Sequence, residues 1–317
     1  MNWQTMFRVA AGVILFGAAA KAEKPWTTTE ESGRIEIARG GTPLFAWQRS
    51  PLSSPKGGGK FAGSAFIHPL RTPSGFVCTA LQPDDHKHHF GLWWPWKFIE
   101  VDGATYNTWE IQQGQGAHYA REARPAAGTP DRPSWELLNE TVIRKPGAEP
   151  LPVIRETTLL AAKVDGDALV LDFSIAQKAS GAPVKIINHH YSGFTWRGPL
   201  TWNKDNSVMT TSAGKNRENA NGTAARWVVV SGPAPGGHAS VLMMSAAETP
   251  DHVRVWNASA MNGNPFVNFN PVLEKPLPLD DAHPAVSKRR YRVIAADHAI
   301  HAGEAETAWR TWMEERS

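Results

Sequence analysis

The stretch RETTLLAAKVDGDALVLDFSIAQ, residues 155–177, decides the fold class of this chain. Two runs of apolar and β-branched residues meet at Asp165-Gly166, the dipeptide that a tight type I′ turn prefers, because glycine accepts a positive φ at no steric cost. The sequence therefore predicts a β-hairpin here. Residues 225–246, ARWVVVSGPAPGGHASVLMMSA, repeat the pattern around a Pro/Gly loop, and residues 288–297, KRRYRVIAAD, predict a further strand.

Helical periodicity is confined to the end of the chain. In residues 303–316, GEAETAWRTWMEER, three large apolar side chains fall at i, i+3 and i+4, which predicts a short helix that docks this stripe onto a sheet. We interpret three proline- and glycine-rich stretches, residues 50–60, 121–135 and 270–286, as loops. The chain is therefore predicted to be mainly β: one large antiparallel β-sandwich with a short C-terminal helix.

The first 22 residues have the pattern of a secretory signal peptide. A positive charge at Arg8 precedes an apolar run over residues 9–20, and Ala20-Lys21-Ala22 has the small-x-small form that signal peptidase reads. The run is shorter than the about 20 residues that a membrane span needs. We therefore expect a signal peptide over residues 1–22, a single domain over residues 23–317, a periplasmic or secreted location, and no stable membrane insertion after cleavage. An uncleaved anchor is the alternative.

Charge and cysteine content narrow the function classes. The chain has 33 Lys and Arg against 30 Asp and Glu, and no basic block, so nucleic acid is not an expected partner. The single cysteine, Cys78, excludes an intrachain disulfide, and its apolar neighbours are typical of an inert buried thiol. The glycine-rich residues 53–60 lack the motif of a phosphate-binding loop, so no nucleotide cofactor is expected.

The segment DDHKHHFGLWWPW, residues 84–96, is the main candidate site. In an extended chain His86 and His88 point to the same face, and this spacing can place two imidazoles on one metal ion. Asp85 would supply an oxygen ligand or accept the second N–H of a ligating histidine. Such a ligand set suits one divalent transition metal, namely zinc, manganese or iron(II).

The same segment has two other interpretations. One histidine can act as general acid or base without a metal, while a neighbouring aspartate fixes its tautomer. Alternatively, the segment is only a polar connection before the buried run GLWWPW. His89 faces away from His86 in a regular strand and joins it only where the chain turns.

A second candidate segment, NHHYSGFTWRGP, occupies residues 188–199. His189 and His190 project to opposite faces of a strand, so at most one of them is expected in a given pocket. Tyr191 and Arg197 suit stacking on a polyol ring and hydrogen bonding to it. Several of the 14 tryptophans flank the two segments, and aromatic faces pack against the C–H faces of sugars. We therefore expect the two segments to share one sugar-binding pocket.

The candidate residues fall into three sets. The predicted catalytic residues are His86, His88, His89, His189 and His190. The predicted substrate-binding residues are Trp93, Trp94, Glu110, His118, Tyr191 and Arg197. The predicted metal ligands are His86, His88 and Asp85.

Residues 66–96, followed by NTWEIQQGQGAH at residues 107–118, resemble the PmoA-like family, often labelled methane oxygenase. The family motif D-H-x-H-H-x-G-[LIV]-W is matched by Asp85, His86, His88, His89, Gly91, Leu92 and Trp93. The likeness spans roughly residues 33–300. The resemblance implies a supersandwich similar to galactose mutarotase and a carbohydrate-active protein.

Three functions follow from these observations, each with a carbohydrate as ligand. The first is an enzyme that cleaves a glycoside or keto-glycoside, as a lyase or a hydrolase, by histidine acid–base chemistry with or without a metal. The second is a sugar mutarotase or epimerase, which needs no metal. The third is a non-catalytic glycan-binding module, in which the histidines serve only the structure.

Overall fold

The structure of the protein is a computed structural model, which describes residues 24–246, 251–255, 263–280 and 289–315. The predicted signal peptide, residues 1–22, lies outside the described residues. The strands of the first half are β1 (Trp26–Glu31), β2 (Arg34–Arg39), β3 (Thr42–Gln48), β4 (Leu52–Ser54), β5 (Gly58–Gly63), β6 (Phe66–Leu70), β7 (Leu92–Trp93), β8 (Phe98–Val101), β9 (Ala104–Asn107), β10 (Gly116–Thr129) and β11 (Arg132–Ile143).

The remaining strands are β12 (Leu151–Asp165), β13 (Ala168–Ala179), β14 (Val184–Ile186), β15 (Phe194–Arg197), β16 (Val208–Thr211), β17 (Thr223–Ala225), β18 (Trp227–Ala234), β19 (Gly237–Ser245), β20 (Asp251–Val255), β21 (Phe266–Asn270), β22 (Leu277–Leu279) and β23 (Arg289–Ala296). A short 3-10 turn, η1, covers Ile111–Gln113, and a helix, α1, covers Ala302–Glu314. Within the described residues, no helix is both long and apolar enough to cross a membrane.

Two large antiparallel sheets dominate the described part of the chain. One has nine strands in the order β1-β2-β3-β6-β7-β15-β21-β20-β17, and the other has eight in the order β10-β11-β12-β13-β23-β19-β18-β16. The described residues also form a four-stranded sheet, β22-β14-β8-β9, and a two-stranded hairpin, β4-β5. The first sheet brings β6, β7, β15 and β21 side by side, although they come from distant parts of the sequence.

The core lies between the two large sheets. Phe194 and Trp196 of β15 meet Phe173 of β13 and Tyr291 of β23 in one buried cluster. The rings of Phe194 and Tyr291 stack with their centroids 4.3 Å apart. Because each large apolar side chain contributes about 1.5–3 kcal/mol on burial, this layer holds the sheets face to face. The predicted mainly β sandwich is confirmed.

The predicted hairpins are also present, with one correction. Strands β12 and β13 pair up to Asp165↔Ala168, so the turn residues are Gly166 and Asp167. Only Gly166 of these two has a positive φ, 58°. A type I′ turn needs a positive φ at both residues, so the predicted turn type is wrong, and glycine at the first turn position is typical of type II′.

All three predicted loops contain strand residues. Residues 270–286 contain β22, and residues 281–286 lie outside the part of the chain that the structure describes. Residues 50–60 contain β4 and the start of β5, and residues 121–135 lie mostly within the hairpin of β10 and β11. The prolines that suggested a loop are tolerated, because Pro125 lies on the edge strand β10 and Pro133 lies at a register shift between the two strands.

The C-terminal helix docks as predicted. Trp312 is buried in a cluster with residues of β18 and β19, and the indole of Trp309 donates a hydrogen bond to the carbonyl of Ser245 at 2.9 Å. Cys78 is a free, buried thiol, as expected, and burial raises its pKa.

Candidate functional site

The histidine segment is a compact double turn between β6 and β7. A bridge between Leu81 and Phe90 closes it, and Gln82 N donates to the His89 carbonyl at 2.7 Å. Inside, His89 N donates to the His86 carbonyl at 2.9 Å. Because the chain turns here, the strand alternation that would have directed His89 away from His86 does not apply.

Glycine is required where this double turn enters β7. Gly91 has a φ of 72°, and a Cβ at this position would lie 2.6 Å from the Ile67 carbonyl oxygen. Neither feature suits a residue with a side chain. Gly91 also accepts a hydrogen bond from Arg197 N at 2.7 Å, which joins the turn to β15.

All three imidazoles of the segment converge. The ring centroids of His86 and His88 are 5.5 Å apart, those of His86 and His89 are 4.6 Å apart, and those of His88 and His89 are 4.8 Å apart. They form one wall of a cavity of about 80 Å³, which we call the histidine cleft. Its lining residues are His86, His88, His89, Trp109, Glu110, Tyr191 and Phe266.

Burial keeps these imidazoles neutral at pH 7. It lowers the pKa of His88 to about 4, with the neighbouring His86 adding to the effect. Burial also lowers the pKa of His89 well below its ordinary value, again helped by its histidine neighbours. The pKa of His86 is lowered by burial too, but Asp85 opposes the change. A neutral imidazole offers one N–H donor and one nitrogen that can accept a proton.

Aromatic rings back the deepest imidazole. His89 is buried and stacks on Phe266, with centroids 5.3 Å apart, and lies 5.1 Å from Trp93. The ring centroids of Trp109 and Tyr191, which also line the cleft, are 5.2 Å apart. The buried Nε1 of Trp109 donates to no acceptor among the described residues. An unsatisfied buried donor costs about 1–3 kcal/mol.

Asp85 anchors the segment through a long-range ion pair. Its Oδ2 accepts a hydrogen bond from Nη2 of Arg197 at 3.0 Å, and the same oxygen lies 3.6 Å from Nδ1 of His86. The Arg197 side chain is 0% exposed, and burial lowers its pKa to about 10 although Asp85 opposes the change. Arg197 therefore positions Asp85 and does not reach into the cleft.

Glu110 faces the imidazoles from the residue before η1. Its Oε2 forms an ion pair with Nζ of Lys97 and accepts hydrogen bonds from Asn107 at 2.6 Å and Gln113 at 2.8 Å. Burial alone would raise the pKa of Glu110, but the contacts with Lys97 and Asn107 outweigh it and hold the pKa below its ordinary value. Glu110 is therefore an ionised carboxylate at neutral pH.

Several predicted site residues lie outside this lining. His190 is exposed, and His189 packs against it and against Phe98. Of the predicted residues in the second segment, only Tyr191 lines the cleft.

Trp94 and His118 belong to a buried polar network. The indole of Trp94 donates to Oε1 of Glu156 at 2.6 Å, and Nε2 of His118 lies 3.6 Å from the same oxygen. Burial alone would raise the pKa of Glu156, but His118 and the surrounding donors hold it below the ordinary value. Both residues therefore stabilise a core carboxylate. Trp93 lies under the cleft, in contact with His89.

The sequence analysis assigned no role to three site residues, Lys97, Trp109 and Phe266. Lys97 follows the run GLWWPW, and a lysine directly after so apolar a run is a signal that could have been used. Phe266 comes from β21, about 180 residues from the histidines, and nothing in its local sequence indicates a site.

The predicted metal ligands only partly come together. His86 and His88 are neighbours, but Asp85 is bound to Arg197. Among the residues that the structure describes, no group of three or more His, Cys, Asp or Glu side chains is arranged to hold a metal ion. The metal assignment stays a prediction.

A larger cleft, of about 200 Å³, lies on the outer side of the eight-stranded sheet. Arg292 binds Asp172 at 2.7 Å and Glu315 at 2.7 Å, and Arg132 binds Asp172 at 2.5 Å. Its lining contains no histidine, cysteine or tyrosine. The histidine cleft is the better candidate, because it combines neutral imidazoles with an ionised carboxylate.

Comparison with known proteins gives a family but no activity. A family model described as a family of unknown function, DUF6807, matches residues 34–310, so the chain belongs to that family. The expected membership of the PmoA-like family is wrong, because the match is to DUF6807 and no PmoA-like family is shown. No curated protein matches the chain. The crystal structure of the Slr1438 protein from Synechocystis sp. PCC 6803 aligns with 89% of this chain and 99% of its own, at 10% identity and a TM-score of 0.34.

Proposed function

We propose that this DUF6807 chain is a carbohydrate-active enzyme that cleaves a glycoside or keto-glycoside by proton transfer, with His86 as the acid–base group. The observation that carries the proposal is the convergence of three imidazoles and an ionised carboxylate on one cleft. The enclosed volume of about 80 Å³ admits one reacting group of a sugar. The rest of the ring would lie at the mouth, beside Trp109 and Tyr191.

His86 is the best acid–base candidate of the three histidines. It is half-buried, whereas His89 is buried in an aromatic cluster. Asp85 and Glu110 both favour its charged form. His86 would therefore accept a proton more readily than His88, whose pKa is about 4, and the resulting imidazolium would face two carboxylates.

On a keto-glycoside these groups suffice for β-elimination. His86 would take the proton from the carbon next to the carbonyl, the C=C bond would form, and the C–O bond to the leaving group would break. The imidazolium of His86 would then return the same proton to the departing oxygen, so the step consumes no external acid or oxidant. A neutral N–H of His88 would stabilise the negative charge that develops on the carbonyl oxygen.

A mutarotase or epimerase is the second candidate, and one observation favours it. Glu110 is ionised and lines the same cleft as the neutral imidazoles, so a carboxylate base and an imidazole donor are present together. Ring opening of a free sugar needs this pair and no metal.

Two NMR experiments separate the candidates. Incubation of a keto-glycoside in D₂O tests the first, because elimination yields the unsaturated ketone and the released alcohol. Where removal of the α-proton is reversed after exchange with the solvent, the remaining substrate also gains deuterium at that carbon. Anomer exchange of free aldoses tests the second and leaves carbon-bound protons in place. We expect His86→Ala to abolish deuterium uptake while the protein stays folded, and His238→Ala, at an exposed histidine on the eight-stranded sheet, to have no effect.

The outcomes are distinct. Wild-type uptake in His86→Ala would reject the assignment of His86. Catalysed anomer exchange without deuterium uptake would replace the first candidate by the second. Sugar binding that survives replacement of all three histidines, without either reaction, would indicate a glycan-binding module. On the pattern of residues 1–22 alone, we propose that the protein works in the periplasm or outside the cell.

A further inference from the structure

Lys97 is a buried charge beside the cleft, although it does not line the cleft. Its side chain is only 4% exposed. The Nζ atom lies 5.1 Å from the ring centroid of Phe98 and 5.3 Å from that of Tyr191. Its backbone joins neighbouring segments, because Lys97 N donates to the Ser192 hydroxyl at 2.8 Å. A charged amine in so apolar a place needs a partner of opposite charge.

That partner is one oxygen of Glu110. Oε2 forms an ion pair with the Lys97 ammonium and accepts hydrogen bonds from the side-chain amides of Asn107 and Gln113. Among the described residues, no hydrogen bond reaches Oε1. The carboxylate is therefore held at one end, while Glu110 lines the cleft and is 22% exposed at its side chain.

We propose that Lys97 is a positioning residue, which fixes Oε2 of Glu110 and leaves Oε1 as an ionised acceptor for a hydroxyl group of a neutral ligand. Among the described residues, the two buried cations beside the cleft are already paired, Lys97 with Glu110 and Arg197 with Asp85. A carboxylate or phosphate on the ligand would meet a fixed negative charge without a cation to balance it. A hydroxyl group would donate to Oε1.

The ligand class in this proposal rests on the proposed function. The electrostatic coupling of Lys97 and Glu110 does not, because it can be measured without turnover. Among the described residues, the histidines that interact with Glu110 are His86 and His88, and both are neutral at pH 7. Lys97 therefore supplies the positive charge that keeps Glu110 ionised.

The decisive experiment follows the ¹³C carboxyl signal of Glu110 with pH in the full chain. Glu110→Gln assigns the signal by removing it. We expect Lys97→Gln to raise the pKa of Glu110 by about one to three pH units, the usual effect of an opposite charge at contact distance. Lys145→Gln is the matched control, because Lys145 pairs with Asp102 on the surface and should leave the pKa of Glu110 unchanged. An unchanged pKa in Lys97→Gln overturns the proposal.

A reciprocal measurement covers the case in which Lys97→Gln does not fold. Glu110→Gln keeps the shape of the side chain and removes its charge. The charge of Glu110 raises the pKa of Lys97 against the effect of burial, so the pKa of Lys97 should fall when that charge is removed. The ¹⁵N NMR signal of the Lys97 ammonium group measures this pKa. A Lys97 pKa that stays in place overturns the proposal.

Ligand-observed NMR with methyl β-D-glucoside and methyl β-D-glucuronide tests the ligand class. We expect the glucoside to bind and the glucuronide not to bind. Equal binding of both sugars, or binding of neither, would overturn the proposed ligand class. A normal coupling of Lys97 and Glu110 without turnover of any sugar would reject the enzymatic function and leave the positioning role intact.

Discussion

The ion pair of Asp85 and Arg197 gives a sharp test of how the histidine cleft is held together. Arg197 is completely buried, whereas the Asp85 side chain is 25% exposed. Asp85→Asn removes the negative charge and keeps an oxygen that can accept the hydrogen bond. The adjacent Asp84 is the matched control, because it pairs with Lys56 on the surface and its side chain is 66% exposed.

The expected magnitude follows from the geometry. Two unit charges 3.0 Å apart attract by about 5 kcal/mol at an effective permittivity of about 20. Part of this attraction is offset in the wild type by the hydration that Asp85 loses on folding. The variant also loses less than the full attraction, because the asparagine keeps a hydrogen bond to Arg197. We therefore expect Asp85→Asn to lower the free energy of unfolding by about 2–4 kcal/mol, because Arg197 stays charged and buried after it loses the Asp85 carboxylate.

Thermal unfolding followed by circular dichroism measures the effect. A loss of this size corresponds to a fall in Tm of about 4–10 °C for a chain of this length, while Asp84→Asn should leave the Tm unchanged. Asp85→Asn/Arg197→Met should recover part of the loss, because the buried charge of Arg197 is then absent as well. If Asp85→Asn lowers the Tm no more than Asp84→Asn does, the ion pair does not hold the segment and our reasoning is refuted.

Three further predictions concern single residues. His298 binds Asp167 at 2.9 Å and Glu304 at 2.8 Å, and these contacts raise its pKa from 6.5 against the effect of burial. The contribution of His298 to the stability of the fold is therefore full below about pH 6.5 and is lost as the pH rises through the raised pKa. The Tm of the wild type should exceed that of His298→Gln by an amount that shrinks from pH 6 to pH 9. A constant difference in Tm would contradict this. Gly91→Ala should cost at least about 1–2 kcal/mol in urea unfolding, because of its positive φ and the close Ile67 carbonyl. Cys78 should not react with a thiol reagent until the protein unfolds, and labelling of the native protein at the rate of a free thiol would disprove the burial.

Much of the fold could be predicted because it rests on local contacts. The hairpin of β12 and β13 needs only two β-prone runs and a glycine at the turn, and the stripe with Trp309 and Trp312 on α1 repeats every turn of a helix. The strands within residues 121–135 could not be read in this way. Pro125 and Pro133 suggest a loop unless the strand order is known, since only an edge strand or a bulge accepts them.

The site was predictable only in part. The sequence indicated five residues that line the cleft: His86, His88, His89, Glu110 and Tyr191. It could not show the double turn that brings the three imidazoles together, and it placed Arg197 against the ligand rather than behind Asp85.

By itself, then, the amino-acid sequence determined the class of the fold and the segment that holds the candidate site, because alternation, turn residues and clustered histidines act over a few neighbouring positions. The tertiary structure decided which groups share the cleft and which are buried behind it. Asp85 and Arg197 are 112 residues apart and meet only because β7 and β15 are neighbours in one sheet. Strand order depends on the packing of the whole core, and the burial that neutralises the imidazoles and pairs Lys97 with Glu110 follows from that packing.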